Sequence, residues 1–219
     1  MIRVVGLGAG GHAKVVIEIL RLAHDVEIVG LLDSRSELHN TALLGLPILG
    51  DDSLLPGLRV DGVSHAFIGV GTVGDIGPRL RVFQTARAAG FEIIAAIHPT
   101  AVISPSVKIG IGLTIMAGAV VNAQAIIGDN VIINTGAIIE HDCRLGHHVH
   151  ISPRATLGGG VSIGDRSMVG LGAVVLPGIH VGSEVLIGAG TVVTRDIPDG
   201  KVVYGNPGRV IRDNPLVAD

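Results

Sequence analysis

Four of the ten histidines in this 219-residue chain lie within ten consecutive residues, and one of them stands between two carboxylates. Glu140 precedes His141 and Asp142 follows it. An imidazole titrates near neutral pH and can accept a proton during a reaction. A neighbouring carboxylate can fix the imidazole tautomer and stabilise the imidazolium. His141 is therefore a candidate general base.

A second group of residues is suited to binding phosphate. The pattern Gly6-x-Gly8-x-x-Gly11 follows an apolar run and precedes a helical pattern, and Asp33 lies 22 residues beyond Gly11. Such glycines let phosphate approach a helix N-terminus, and the acidic residue can bind a ribose hydroxyl. The pattern is compatible with NAD or with a nucleotide-linked sugar, whose diphosphate makes the same demands. A purely structural glycine turn is the third reading.

These residues must be positioned by two halves of the chain with different periodicities. In residues 1–97, strand-like runs such as Ile2–Leu7 and Val63–Val70 alternate with helix-like runs such as Ala13–Ala23 and Pro78–Ala89. Strands separated by helical patterns indicate a parallel sheet. The first half is therefore predicted to be a small Rossmann-like α/β domain.

From Ala101 onward an aliphatic residue recurs at every sixth position, sixteen times without interruption. Residues two positions apart share one face of a strand, so the residues two before each aliphatic also point inward. Cys143 belongs to this second set, which argues against a nucleophilic role. The following residue is often Gly or Asn and is interpreted as a turn residue. A fixed six-residue period predicts a β-helix solenoid. The aliphatic set is Ile103, Ile109, Ile115, Val121, Ile127, Ile133, Ile139, Leu145, Ile151, Leu157, Ile163, Val169, Val175, Val181, Ile187 and Val193.

The composition argues against several classes of protein. Apolar residues make up 47% and charged residues 16%, which excludes a disordered chain. The net charge is −3 without a Lys/Arg cluster, so no nucleic-acid partner is expected. The uncharged stretch 109–128 contains four glycines and several polar residues, which argues against a membrane span. A single cysteine cannot form an internal disulfide, and we expect a cytoplasmic protein.

The order of the motifs resembles a known family, the sialic-acid and bacillosamine type of sugar O/N-acetyltransferases. The resemblance covers nearly the whole chain and implies a Rossmann-like nucleotide-sugar-binding domain over 1–97. It further implies a left-handed parallel β-helix with a C-terminal tail over 98–219, with three hexads to a coil. Family members are generally homotrimers with active sites in the seams between subunits. The motifs are Gly8-Ala9-Gly10-Gly11-His12, Ile97-His98-Pro99, Glu140-His141-Asp142-Cys143 and Gly205-Asn206-Pro207.

The resemblance also implies an activity and site residues. The expected reaction is acetyl-CoA-dependent N-acetylation of a nucleotide-linked amino sugar in surface-polysaccharide (O-antigen) biosynthesis, without a metal. His141 is then the general base, and Asp142 raises its basicity. Acetyl-CoA is contacted near its thioester by His150, and its pantetheine arm by the backbone at Leu171 and Ala189. The residues expected to bind the sugar nucleotide are Gly10, Gly11, His12, Asp33 and Gly71.

Other functions stay open on the residues alone. O-acetylation of a sugar hydroxyl would use the same groups. A zinc hydratase of the carbonic-anhydrase type shares the solenoid, although the positions 18 residues either side of His141 are Ala123 and Gly159. A non-catalytic scaffold or nucleotide sensor would not release CoA. The cations of the tail are candidates for CoA phosphate contacts or for solvated surface: Arg195, Lys201, Arg209 and Arg212.

Overall fold

A computed structural model describes residues 1–23, 25–72 and 74–215. The chain divides into two compact units, Met1–Ala96 and Ile97–Asp219. The first is an α/β unit and the second a left-handed parallel β-helix, which confirms the predicted fold class. In the described part of the chain, no helix has the length and apolar character needed to cross a bilayer.

The first unit is built on a sheet of six strands. The strands are β1 (Ile2–Leu7), β2 (Val26–Leu32), β3 (Ala42–Leu43), β4 (Leu46–Gly50), β5 (His65–Ile68) and β6 (Glu92–Ile93). Their order in the sheet is β3-β4-β2-β1-β5-β6, and the pairs are parallel except for the hairpin of β3 and β4. The helices are α1 (Gly11–Arg21), α2 (Leu55–Val60) and α3 (Gly77–Ala88), with 3-10 turns at Ser36–Leu38 and Asp52–Leu54.

The strand order brings the glycine-rich segments to one edge of this sheet. β1 lies between β2 and β5, so the chain reverses its direction of winding at β1. Ligands of open α/β sheets bind at such a reversal, beyond the carboxyl ends of the strands. The segments that follow β1, β2 and β5 are Gly8–Gly11, Asp33 and Gly69–Gly71. We call the space at these strand ends the crevice.

In the second unit, short strands, most of them two residues long, form three sheets along the solenoid, and each strand up to Val174–Val175 pairs with the strand eighteen residues later. The last parallel pair, Leu186–Ile187 with the strand Lys201–Tyr204, is separated by sixteen residues. Three hexads therefore make one coil. The first sheet contains Ala96–Ile97, Thr114–Ile115, Ile132–Ile133, His150–Ile151, Met168–Val169, Leu186–Ile187, Lys201–Tyr204 and the antiparallel Arg209–Asp213. The second contains Val102–Ile103, Val120–Val121, Ile138–Ile139, Thr156–Leu157, Val174–Val175 and Val192–Val193. The third contains Lys108–Ile109, Ile126–Ile127, Arg144–Leu145, Ser162–Ile163 and His180–Val181.

The aliphatic residues of the hexads fill the interior of the solenoid. Every one from Ile115 to Val193 is at most 3% exposed. Ile109 is 44% exposed and Ile103 is half-buried, although both are in register with the buried residues Ile127 and Val121 of the next coil. Both residues belong to the first coil, which has no earlier coil stacked against it.

The glycines that follow the aliphatic residues serve coil stacking, which corrects their interpretation as turn residues. The left-handed backbone occurs two positions further on, as at Asp142 (φ 61°) and Gly160 (φ 69°). A Cβ atom at Gly146 would lie 2.2 Å from an Asp165 carboxylate oxygen in the next coil. These glycines are needed because neighbouring coils approach them closely.

Candidate active site

His141 and Asp142 form a hydrogen-bonded pair at a corner between the second and third sheets. The imidazole Nδ1 lies 2.8 Å from Asp142 Oδ2, and both side chains are 63% exposed. The Asp142 backbone is held in place because its N–H donates to the Ala123 carbonyl of the preceding coil at 2.9 Å. The carboxylate raises the pKa of His141, chiefly through this side-chain hydrogen bond. Since Nδ1 donates to Asp142, Nε2 is left with a lone pair that can accept a proton.

Gly159, one coil further on, provides the surface on which the His141 ring lies. A Cβ atom at this position would be 2.6 Å from both Cε1 and Nε2 of the imidazole. The His141 carbonyl accepts a hydrogen bond from Gly160 N–H at 2.8 Å, which fixes the two coils together. The ring is thus oriented by Asp142 at its edge and by the Gly159 backbone at its face. In the sequence, Gly159 bears only on the zinc hypothesis, as a position that lacks a metal ligand. Its contact with His141 is apparent only in the fold.

His150 lies on the outward face of the first sheet and is only 7% exposed. The Asn134 amide Nδ2 lies 3.3 Å from His150 Nε2. An amide NH₂ only donates, so Nε2 accepts in this contact and a neutral ring carries its proton on Nδ1. The sequence does not single out Asn134 as a site residue. It appears there only as one of the Gly and Asn residues that follow the aliphatic residue of a hexad.

Leu171 and Ala189 occupy stacked corners between the first and second sheets. Gly190 N–H donates to the Leu171 carbonyl at 2.8 Å, and both corner residues are exposed. A Cβ atom at Gly170 would lie 2.7 Å from Ala189 N, so the two coils touch through their backbones. The corner therefore presents an exposed ledge of backbone and glycines beside the 56% exposed side chain of Leu171, along which an extended chain can lie.

A single chain does not bring these groups to one place. His141 stands at the corner between the second and third sheets, whereas Leu171 and Ala189 stand at the corner between the first and second. The surface beside Asp142 offers a groove of about 240 Å³, lined in part by Lys108 and Arg144. Pockets for small molecules typically measure roughly 300–1,000 Å³. The groove alone is therefore too small for two substrates.

Cys143 and His147, near the His141 pair, have structural partners. The Cys143 thiol is buried and donates to the Gly158 carbonyl at 3.2 Å, and burial raises its pKa. A nucleophilic thiol requires the opposite shift. His147 Nδ1 accepts from Asp129 N–H of the preceding coil at 3.0 Å, which links two corners. Among residues 1–23, 25–72 and 74–215, no three His, Cys, Asp or Glu side chains are grouped so as to hold a metal ion.

In the first unit, the glycines of the crevice leave space at the beginning of α1. Gly10 caps the helix, and a Cβ atom at Gly10 or Gly11 would meet no other atom within 4 Å. Gly8 has a φ of 100°, and a Cβ there would lie 2.6 Å from the Val70 side chain. Gly8 thus shapes the turn, while Gly10 and Gly11 leave the helix N-terminus accessible to an anionic group.

Asp33 is a buried anchor at the crevice and is 8% exposed. Its carboxylate accepts from Ala9 N–H at 2.8 Å and from both Nε and Nη2 of Arg35 at 2.8 and 2.9 Å. These contacts, with the Arg35 hydrogen bond foremost, lower the pKa of Asp33 to about 2. Asp33 therefore holds the loop after β1 and orients Arg35, whose side chain is 51% exposed. The sequence motif predicts Asp33 but not Arg35. The position of Arg35, two residues after Asp33, was the one signal for this pairing.

His12 and Gly71 lie against each other at the crevice. A Cβ atom at Gly71 would be 3.1 Å from the His12 Cβ. Arg79 lies 3.3 Å from His12 Nε2 and donates to the Val70 carbonyl at 2.7 Å. The Arg79 side chain is wholly buried, which lowers its pKa to about 9 and leaves it charged at neutral pH. Arg79 thus positions His12 and the segment after β5.

Comparison with known protein families finds matches in both units. The PglD N-terminal domain matches residues 3–86, the bacterial transferase hexapeptide matches 124–159, and the hexapeptide repeat of succinyl-transferase matches 160–195. No curated protein matches the chain.

Solved structures extend the similarity to nearly the whole chain. Perosamine N-acetyltransferase from Caulobacter crescentus, in a histidine-to-asparagine variant with CoA and GDP-perosamine, is 45% identical. The match covers 96% of this chain and 97% of that one, with a TM-score of 0.89. The acetyltransferase domain of PglB from Neisseria gonorrhoeae, in complex with acetyl coenzyme A, is 38% identical over 96% and 99%, with a TM-score of 0.87. With this identity over almost the full length, the chain belongs to the hexapeptide-repeat sugar acetyltransferases that carry a PglD-type N-terminal domain.

Proposed function

We propose that this protein transfers the acetyl group of acetyl-CoA to the amino group of a nucleotide-linked amino sugar. The first candidate is the 4-amino group of GDP-perosamine, in the cytoplasm, as a step in the assembly of a surface polysaccharide. The observation that carries the proposal is the pair of His141 and Asp142, with Nδ1 engaged by the carboxylate and Nε2 available as a base. The 45% identical perosamine N-acetyltransferase, crystallised with CoA and GDP-perosamine, supports the choice of substrates.

His141 Nε2 accepts a proton from the sugar amine as the amine nitrogen attacks the thioester carbonyl carbon. The new C–N bond forms, the C–S bond breaks, and the proton is passed to the leaving CoA thiolate. Asp142 keeps the ring in the tautomer with Nδ1 protonated and stabilises the imidazolium that forms. His150, held by Asn134, is assigned to acetyl-CoA near the thioester, and Leu171 and Ala189 to the pantetheine arm. In the relative, histidine variants crystallised with both ligands agree with a histidine that serves chemistry rather than binding.

The nucleotide part of the sugar is assigned to the crevice of the first unit. Gly10 and Gly11 leave room for the diphosphate at the N-terminus of α1. His12, Gly71 and Asp33 line the same edge of the sheet, and the bidentate contact with Asp33 holds Arg35 beside them. A guanidinium is well suited to phosphate. NAD would make similar demands on the glycines, so a binding experiment must distinguish the two ligands.

We further propose that the working form is a homotrimer, with each site built from two chains. The separate corners of His141 and of Leu171 and Ala189 support this arrangement, because one acetyl-CoA can then contact both. The outward side chains of the second sheet, between those corners, form an apolar row suited to burial against another copy. Val102 is 63% exposed and the others are half-buried: Val120, Ile138, Thr156, Val174 and Val192. Light scattering that shows a fully active monomer would contradict the proposal.

The reaction is tested by measuring CoA release from acetyl-CoA against a panel of GDP-, UDP- and dTDP-linked sugars. Each amino sugar is paired with the sugar that carries a hydroxyl at the same carbon. Release with amino sugars alone supports N-acetylation, whereas release with the hydroxyl partners indicates O-acetylation. Absence of CoA release with every sugar, together with saturable NAD binding by calorimetry, would contradict the proposed function.

Asp142→Asn should move the acidic limb of the kcat/KM–pH profile to lower pH. Since the carboxylate raises the pKa of His141, its removal lets the imidazole lose its proton at lower pH. Activity still rises with pH through the pKa of His141, because only the neutral ring acts as a base. Activity at high pH should also fall, because the tautomer is no longer enforced. A limb that stays where it is, or moves to higher pH, would contradict the role given to Asp142.

Asp33→Ala should raise the KM for the nucleotide sugar by roughly 5–150-fold, the equivalent of one charged buried contact. The substitution releases Ala9 N–H and Arg35, which shape the crevice. The KM for acetyl-CoA should scarcely change, because that ligand is assigned to the solenoid. Glu18→Ala, on the exposed face of α1, is the control. Equal increases in both KM values would indicate general damage to the fold instead.

A further inference from the structure

Four N–H donors fill the acceptor positions of the Asp33 carboxylate. Its Oδ2 accepts from Ala9 N–H at 2.8 Å and from Arg35 Nη2 at 2.9 Å. Its Oδ1 accepts from the Arg35 backbone N–H at 3.0 Å and from Arg35 Nε at 2.8 Å. An ionised carboxylate offers about four lone-pair positions. A ribose hydroxyl can therefore reach Asp33 only by displacing one of these donors.

The same contacts hold the guanidinium of Arg35 in a fixed plane. Asp33 occupies the edge formed by Nε and Nη2, which is one of the edges that can bind a phosphate in a bidentate contact. The side chain nevertheless remains 51% exposed, so the planar face and the end that carries Nη1 remain for a ligand. A guanidinium face packs favourably on an aromatic ring. Arg35 thus offers a platform for a nucleotide base.

The aromatic side chains of the first unit do not provide such a platform. The chain has three phenylalanines, one tyrosine and no tryptophan. The phenylalanines all lie in the first unit and are buried in its core, as Phe67, Phe83 and Phe91. The tyrosine, Tyr204, belongs to the second unit. A base bound in the crevice must therefore find another planar group.

Arg35 lies in the loop after β2, beside the loop that is assigned to the diphosphate. β1 and β2 are neighbours in the sheet, and the hydrogen bond from Ala9 N–H to Asp33 ties the loops that follow them together. In dinucleotide-binding folds, the acidic residue after the second strand marks the position of the ribose. With its diphosphate at Gly10 and Gly11, a nucleotide therefore directs its ribose and base toward Arg35.

We propose that the base of the nucleotide sugar stacks on the guanidinium of Arg35, and that Asp33 is a positioning residue that acts through Arg35. The inference rests on the proposed function, because that function assigns the nucleotide to the crevice. The rings of His12 and His39 are half-buried and offer less surface to a base. Stacking follows the size of the flat surface, and a purine has two fused rings where a pyrimidine has one. The site therefore favours GDP over UDP.

GDP and UDP differ only in the base and are the probes, with calorimetry as the measurement. Arg35→Ala should weaken GDP binding by about 5–30-fold, the equivalent of one cation–π contact partly shielded from water. UDP binding should weaken less, so the preference for GDP falls. Arg35→Lys keeps the charge but loses the plane, and should resemble Arg35→Ala. In both variants Asp33 keeps its two backbone donors, the N–H groups of residues 9 and 35.

Arg87→Ala is the matched control, because it removes an exposed arginine from the same unit. Arg87 lies in the last turn of α3, which connects the parallel strands β5 and β6. This turn is at the edge of the sheet opposite the crevice, since the helix must return to the start of β6. The affinities for GDP and UDP should both stay as in the wild type.

The preference for GDP over UDP also tests the role of Asp33, because a purely structural role would not change it. Asp33→Ala should lower the preference, since Arg35 is then no longer held in its plane. In the Arg35→Ala background, adding Asp33→Ala should leave the preference where it is. A further change of the preference in that background would overturn the indirect role.

Equal losses of GDP and UDP binding in Arg35→Ala, with affinity restored in Arg35→Lys, would show a phosphate contact instead and overturn the inference. A wild type that binds neither nucleotide, or binds both equally, would overturn it as well, even if the enzyme acetylates a nucleotide sugar. If the wild type prefers GDP through Arg35 but releases no CoA with any sugar, the proposed function fails while the base site stands.

Discussion

Replacing His141 with alanine should lower kcat by roughly 10²–10⁴-fold, the usual contribution of a positioned general base. The KM values of both substrates should change little, because the imidazole acts on the amine proton as the C–N bond forms. The residual rate reflects the remaining orientation of the two substrates in the site. Initial-rate kinetics with both substrates varied, at several pH values, provide the measurement.

His147→Ala is the control for this substitution, since His147 is a nearby exposed histidine with a structural contact to Asp129. The control should retain nearly full activity. The acidic limb of the pH profile should persist in His147→Ala and disappear in His141→Ala. Activity of His141→Ala equal to that of wild type from about pH 6 to about pH 9 would refute its assignment as the base.

Gly159→Ala should lower kcat by about 10–100-fold, because a displacement of about 1 Å in a reacting group can cost that much. The added Cβ would lie 2.6 Å from the imidazole Nε2, so the ring must swing away and strain its hydrogen bond to Asp142. The backbone itself tolerates side chains here, since Ala123 and Pro177 occupy the equivalent position one coil before and after the pair formed by His141 and Gly159. The melting temperature should therefore change little.

The double variant tests whether Gly159 acts through the histidine. In the His141→Ala background the ring is absent, so adding Gly159→Ala should cause no further loss of activity. A double-variant cycle of this kind measures the coupling between two residues. The same loss in both backgrounds would show that Gly159 affects catalysis by another route, and the positioning role would be wrong.

The solenoid was predictable from sequence because its period is set by local geometry. A short strand and a tight corner use six residues, and alternation along the strand fixes which two face inward. The buried series from Ile115 to Val193 confirms that prediction. Ile109 lies in the same register but is 44% exposed, because burial in a solenoid comes from the neighbouring coil and a sequence pattern does not show where stacking begins.

The candidate site was only partly predictable, since its contacts join residues that are distant in sequence. Gly159 touches His141 across eighteen residues, and Asn134 approaches His150 across sixteen. His141 and His150 are close in sequence, yet the chain turns through the corner and the third sheet before it reaches His150. Proximity in sequence therefore misleads in a coiled chain, and a stacked position one coil away is the better guide to a neighbour.

The eighteen-residue pairing of the strands also restricts how this gene can change in length. An insertion or deletion of one hexad between residues 151 and 168 would keep the aliphatic residues facing inward, but would move Leu171 and Ala189 to a different corner relative to His141. A change of one whole coil of eighteen residues would keep both the stacking and the relative orientation of these corners. A change of three hexads in this part of the solenoid is therefore expected to preserve the site, whereas a change of one hexad would preserve the coils and separate the site residues.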